Sequence, residues 1–113
     1  VRAARLNVLF ICSRNQWRSP TAEQVFRRHP ALNVRSAGTS ASARRQVGEA
    51  DLTWADVILV MEAKHRSRLM QDHAALLAGK ALHVLDIPDD YRFMDAELVT
   101  LLQAVVPPLL DLD

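Results

Sequence analysis

Cys12 is the only cysteine of the 113-residue chain, and Arg18 follows it after five intervening residues, with Ser19-Pro20 directly beyond. A cysteine and an arginine at this separation suit anion chemistry. A loop folded between a strand end and a helix start can turn successive backbone N–H groups inward. It then cradles an anion, helped by the helix dipole. An arginine at the loop's end adds bidentate hydrogen bonds to phosphate. The same positive surroundings favour the thiolate, which is the nucleophilic form of cysteine. The expected phosphate-binding set is Ser13, Arg14, Asn15, Gln16 and Trp17, together with Ser19, whose hydroxyl can donate to the sulfur as it leaves. Asn15 tolerates positive φ and can bend the loop without glycine.

The spacing alone is weak. Twelve of the residues are arginine, so one falls there by chance roughly one time in ten. An isolated cysteine is more often a buried, inert thiol. The surrounding elements decide. Leu6 to Ile11 is a short apolar run with β-branched members, which reads as a buried strand. Ser19-Pro20-Thr21 then offers a helix start, with serine as cap and proline in the first position, running to about Arg28. Asn33–Ala37 is a second strand stopped by Gly38, and residues 40–50 read as a loop or short helix. Val57–Met61 is a third strand, with Trp54 before it as a core anchor. Ala63–His73 is a helix that Ala74–Gly79 extends or follows with a turn, and Ala81–Leu85 a fourth strand. Asp86–Tyr91 is an acidic, proline-bearing loop. Asp95 caps a final helix with Leu98, Leu101, Leu102 and Val105 on one face, ended by Pro107-Pro108.

Strands alternating with helices predict an α/β fold in three layers, a four-stranded parallel sheet with helices on both faces and the phosphate loop after the first strand. One domain over residues 1–113 is expected. Such sheets bind ligands beyond the carboxyl ends of their strands, which places Cys12 and the Asp86–Tyr91 loop on the same edge.

Composition narrows the classes further. Half the residues are apolar and the net charge is +1, which excludes a disordered or collagen-like chain. A lone cysteine excludes an internal disulfide, a cysteine-rich zinc site and an internal two-cysteine relay. No apolar run reaches the roughly 18–20 residues of a bilayer span, and the N-terminus lacks a secretory signal pattern. A soluble, cytoplasmic protein is expected, with no membrane partner. Nine arginines face only Glu23 and Glu49 in residues 1–50, against five basic and eleven acidic residues in 51–113. The basic half suggests an anionic ligand. Nucleic acid is disfavoured, because no lysine, aromatic–basic interleaving or zinc-finger spacing accompanies the arginines. His29, His65, His73 and His83 have no metal-ligand spacing and read as surface or packing histidines.

With these residues in place, the chain resembles the low-molecular-weight protein tyrosine phosphatase family. The likeness rests on Cys-x5-Arg-Ser-Pro after Val8-Leu9-Phe10-Ile11, with Asn15 at the family's asparagine. It extends to Ser36-Ala37-Gly38-Thr39, Asp56–Met61 and Ile87-Pro88-Asp89-Asp90-Tyr91, in the family's order. The resemblance implies a phosphoric monoester hydrolase that needs no metal or other cofactor. Cys12 would attack phosphorus and form a phosphocysteine, with Arg18 and the loop N–H groups on the equatorial oxygens. Asp89 falls at the family's acid and Asp90 is the alternative; Asp86 reads as a strand-end cap. Tyr91 falls at the substrate mouth. The implied partner is a phosphorylated protein or a small aryl phosphate, with the oligomeric state open. Arg14 replaces a common glycine, Trp17 a common second cysteine, and Arg92 a second aromatic. Only eleven residues separate Thr39 from Asp51, so a helix-bearing segment is largely missing and the chain looks like a compact branch. A phosphoanion-binding module without turnover is the alternative reading. A phosphocysteine carrier is a third, disfavoured by Arg18 and the acid loop.

Overall fold

The structure, a computed structural model, describes residues 5–112. Arg2 of the basic N-terminal stretch and the terminal Asp113 lie outside the described residues. The elements are β1 (Leu6–Cys12), α1 (Arg18–Phe26), β2 (Leu32–Gly38), α2 (Glu49–Trp54), β3 (Val57–Val60), α3 (Ala63–Leu77), β4 (Ala81–Val84) and α4 (Ala96–Leu109). The sheet order is β2-β1-β3-β4 and all pairings are parallel.

A strand covered on both faces needs apolar side chains in both directions, hence the unbroken runs in β1 and β3. Alternation divides them between two cores. Val8, Phe10 and Cys12, with Val57 and Leu59, meet Ala22 and Phe26 of α1 and Leu98, Leu102 and Val106 of α4. Leu9, Ile11, Ile58 and Val60 meet Leu52 of α2 and Leu69 and Leu77 of α3 on the other face. The predicted three-layer α/β arrangement is the one observed. Register sets Cys12 beside Gly38, so the end of β1 lies against the end of β2.

Several local expectations change. Ser19 is no cap: α1 begins at Arg18 with Trp17 in the cap position and no side-chain cap bond, because the serine hydroxyl is used elsewhere. The helix stops at Phe26 rather than Arg28. Most of the 40–50 segment is loop and a short helix begins at its end, at Glu49; Trp54, which closes that helix, is only half-buried, its ring covered by the Arg35 guanidinium 4.2 Å away. α3 spans the whole predicted stretch but kinks at His73, where φ is −141° and ψ 31°. Asp95 does cap α4, accepting from the Glu97 N–H at 2.9 Å. The two prolines sit inside the last turn of α4 instead of ending it, since Leu110 N–H still reaches the Val106 and Pro107 carbonyls. Asp86 adopts positive φ (57°) and is exposed; it turns the chain into the acidic loop.

Candidate active site

β1 ends at Cys12 and α1 begins at Arg18, so the five residues between them have no ladder of their own. Their carbonyls are tied down from outside. Cys12, Ser13 and Arg14 carbonyls accept from the N–H groups of Thr39 (3.0 Å), Ser40 (2.9 Å) and Arg44 (3.0 Å). With the carbonyls held there, the backbone N–H groups of residues 13–17 have no protein acceptor among the described residues. Backbone donors left open at a helix start make an anion nest. Gly38 permits this packing. A Cβ there would come within 2.5 Å of the Ser13 carbonyl oxygen and 2.9 Å of the Asn15 nitrogen.

The loop closes over a cavity of about 290 Å³ lined by Cys12, Ser13, Arg14, Gln16, Trp17, Arg18 and Asp89. The structure therefore brings Cys12, Arg18 and Asp89 together across some 70 residues of sequence. Cys12 is 3% exposed. Its Sγ lies 3.0 Å from Ser19 Oγ. Asn15 has φ 53° and donates both amide hydrogens, to Ser19 Oγ at 3.0 Å and to Ser36 Oγ at 2.9 Å. Ser36 Oγ in turn donates to Glu23 Oε1 at 2.5 Å. Because Ser19 Oγ already accepts from Asn15, its own proton is left for the sulfur or for the Ala37 carbonyl, 3.3 Å away. Asn15 and Ser19 thus sit behind the loop, not on the cavity wall. They hold the loop and the thiol rather than line the anion site.

Arg18 is 2% exposed, a cost met by dense pairing. Nη1 donates to Glu62 Oε1 at 2.6 Å and to the Ile87 carbonyl at 2.8 Å. Nε lies 3.5 Å from Asp89 Oδ1. Nη2 has no protein partner among the described residues. Burial pulls the Glu62 pKa up, but the Arg18 hydrogen bond and charge outweigh it and leave the carboxyl below its ordinary value.

Of the two readings expected for His65, surface or packing, the structure takes the second. The residue is buried, and its Nδ1 accepts from the Glu62 N–H at 3.0 Å. The ring proton of the neutral form must then sit on Nε2, which donates to Ser13 Oγ at 2.8 Å. Burial, and next the Arg18 charge, push its pKa down to about 4, so the ring is neutral at pH 7. Neither Glu62 nor His65 carried a signal in the sequence beyond following a strand's carboxyl end.

The acidic loop divides its residues. Asp89 lines the cavity and its side chain is 57% exposed. Asp90 is exposed and off the cavity wall. Tyr91, expected at the substrate mouth, is half-buried against the α1–α4 core and also off the wall. Burial and the nearby Glu97 raise its hydroxyl pKa. The aromatic at the cavity is instead Trp17, with the Arg92 guanidinium 5.5 Å from its ring centre.

A profile of the family described as low molecular weight phosphotyrosine protein phosphatase matches residues 7–47, which include the whole loop and Gly38. The low molecular weight protein-tyrosine-phosphatase Wzb of Escherichia coli K12 is 32% identical, over 76% of this chain and 78% of its own length. The chain belongs to the low molecular weight protein-tyrosine phosphatase family. It is a phosphoric monoester hydrolase, as the resemblance implied. Solved structures agree on the fold. Vibrio vulnificus Wzb in complex with benzylphosphonate superposes with a TM-score of 0.69 at 26% identity, covering 88% of this chain and 91% of that one. The YwlE arginine phosphatase from Geobacillus stearothermophilus superposes at 0.74 with 20% identity and 94% of both chains covered, a likeness of fold. Among the described residues, no helix is long and apolar enough to cross a membrane.

Proposed function

We propose that this phosphatase hydrolyses aryl phosphates, with protein phosphotyrosine as the substrate, through a phosphocysteine formed on Cys12. The reading is carried by one observation: Cys12, Arg18 and Asp89 share the wall of a single cavity whose loop N–H groups are unspent. Cys12 Sγ attacks phosphorus, the S–P bond forms and the P–O bond to the phenol breaks. Arg18 Nη2 and the N–H groups of residues 13–18 hold the equatorial oxygens as charge gathers there. Ser13, Arg14, Gln16 and Trp17 complete the phosphate-binding wall, and Trp17 is the aromatic face beside it. Asp89 gives its proton to the leaving phenolate. As a carboxylate it then takes a proton from water while that water's oxygen attacks phosphorus, the S–P bond breaks and the thiolate returns. Asp90 is the reserve acid, disfavoured by its place off the wall. Ser19 donates to Sγ at both stages. Benzylphosphonate on the Vibrio relative is an arylmethyl phosphonate, which fits an aryl-phosphate site. Residues 1–113 act as one phosphatase domain in the cytoplasm, where a lone thiol stays reduced.

Rapid acid quench with labelled p-nitrophenyl phosphate tests the mechanism. Label trapped on wild type and absent from Cys12→Ser is the expected result; turnover by Cys12→Ser overturns it. Equal kcat/KM on phosphotyrosine and phosphoserine peptides would overturn the substrate class.

A further inference from the structure

Beside the catalytic cavity runs a second, shallower groove of about 680 Å³, which shares the Ser13 wall with it. One side is the short segment Thr39-Ser40-Ala41, the other the first turns of α3 with Lys64, Ser67 and Arg68. No carboxylate lines it. The loop after β4 is the reverse, for Asp86, Asp89 and Asp90 crowd it, and Lys64 stands between the two, sharing a third groove with Asp86.

Both cations of the groove have charge to spare. Glu62 lies 3.7 Å from Lys64 Nζ but 2.6 Å from Arg18 Nη1, so it is committed to the buried arginine. Arg68 meets Asp72 through Nε alone, at 2.7 Å, and is half exposed. A cavity of about 290 Å³ takes a phosphate and its ring and little more. The rest of a protein substrate must cross one flank or the other. Like charges repel acidic residues from the Asp86–Asp90 side, while Lys64 and Arg68 attract them to this one.

We infer that the Lys64–Arg68 groove is a specificity subsite for an anionic side chain flanking the phosphorylated residue of a protein substrate. The inference rests on the phosphotyrosine reading above. The anion is a carboxylate or a second phosphoryl group, both served by the same cations and by the hydroxyls of Thr39, Ser40 and Ser67. It acts on encounter and binding, so it changes kcat/KM on peptides and leaves the chemistry of a small substrate alone.

The experiment compares phosphotyrosine peptides identical except for flanking Asp, a flanking second phosphotyrosine, or flanking Asn, on wild type and on Lys64→Gln/Arg68→Gln. With exposed pairs as the source, kcat/KM should be about three- to tenfold higher for the anionic peptides at low salt. The gap should close in the double variant and at high salt, while p-nitrophenyl phosphate turnover stays at the wild-type rate. A larger gap for the second phosphotyrosine than for Asp would assign the subsite to a phosphoryl group, and the reverse to a carboxylate; either supports it. Equal rates for all three peptides on wild type, or a gap that survives in the double variant, overturns the subsite and leaves the phosphatase reading standing. Failure to turn over any aryl phosphate would overturn that reading and the subsite together.

Discussion

The two halves of the active site are built by opposite means. The half proposed to hold the anion is buried and over-determined. Cys12 and Arg18 are 3% and 2% exposed, and Asn15, Ser19, Ser36 and Glu23 form a continuous hydrogen-bonded chain behind them, ending on the Glu23 carboxylate as acceptor. The half proposed to move protons is a single aspartate, 57% exposed, on a loop with one 3.5 Å approach to Arg18 Nε. Charge stabilisation demands dipoles fixed before the reaction. An acid that must first donate and then accept a proton needs access to water, and an exposed loop supplies it.

The contrast can be broken from either side. Cys12→Ser should abolish turnover, by at least about 10⁴-fold, while isothermal titration still finds phosphate bound. Asp89→Asn should lower kcat on p-nitrophenyl phosphate by roughly 10²–10⁴-fold and change thermal stability little, since the exposed side chain makes one 3.5 Å approach to Arg18 Nε. Asp90→Asn should stay near the wild-type rate; a slower Asp90 variant would move the acid by one residue. Asn15→Ala strikes the other half, and its effect should appear in stability as well as rate. Two serine hydroxyls lose their donor and alanine must take positive φ, so urea midpoints should show a loss of about 2–4 kcal/mol. Asn15→Gly, which keeps the φ, should recover about 1 kcal/mol of it.

The smallest effect is one of pH. Neutral His65 has a folded pKa of about 4, against roughly 6.5 in an unfolded chain. Between these values the unfolded chain binds more protons, so stability falls as pH drops through that window and is fully kept above it. Urea unfolding should show about 2 kcal/mol lost between pH 7 and 5 from this one ring. His65→Gln should remove that part of the slope. A slope unchanged in the variant would mean that the ring is not neutral in the folded state.

The anion-holding half was also the more legible one. Cys12, Arg18 and Asn15 lie within seven residues, and their types betray their use because local backbone geometry demands them. Ser19 was found for its contact with sulfur but also mistaken for a cap, since a serine before proline satisfies both patterns. The sheet and its layers followed from the apolar runs of β1 and β3. What escaped notice depends on tertiary approach. Glu62 and His65 reach the loop only because β3 lies beside β1, and nothing in their own neighbourhood marks them. Tyr91 shows the opposite error: its position in the acidic loop suggested the mouth, but an aromatic beside an uncovered stretch of core is drawn onto that core instead.

The sheet order also has a dynamic consequence. β1, which carries Cys12, is paired on both sides, whereas β4, which carries the acid loop, is an edge strand held by β3 alone. Edge elements open at lower free energy than central ones, so amide exchange should run faster in β4 than in β1. A partial opening that frays β4 would carry Asp89 away and leave the thiol loop folded. On the proposed mechanism, the first breakdown product of this phosphatase on warming would be a protein that still grips phosphate and has lost its acid.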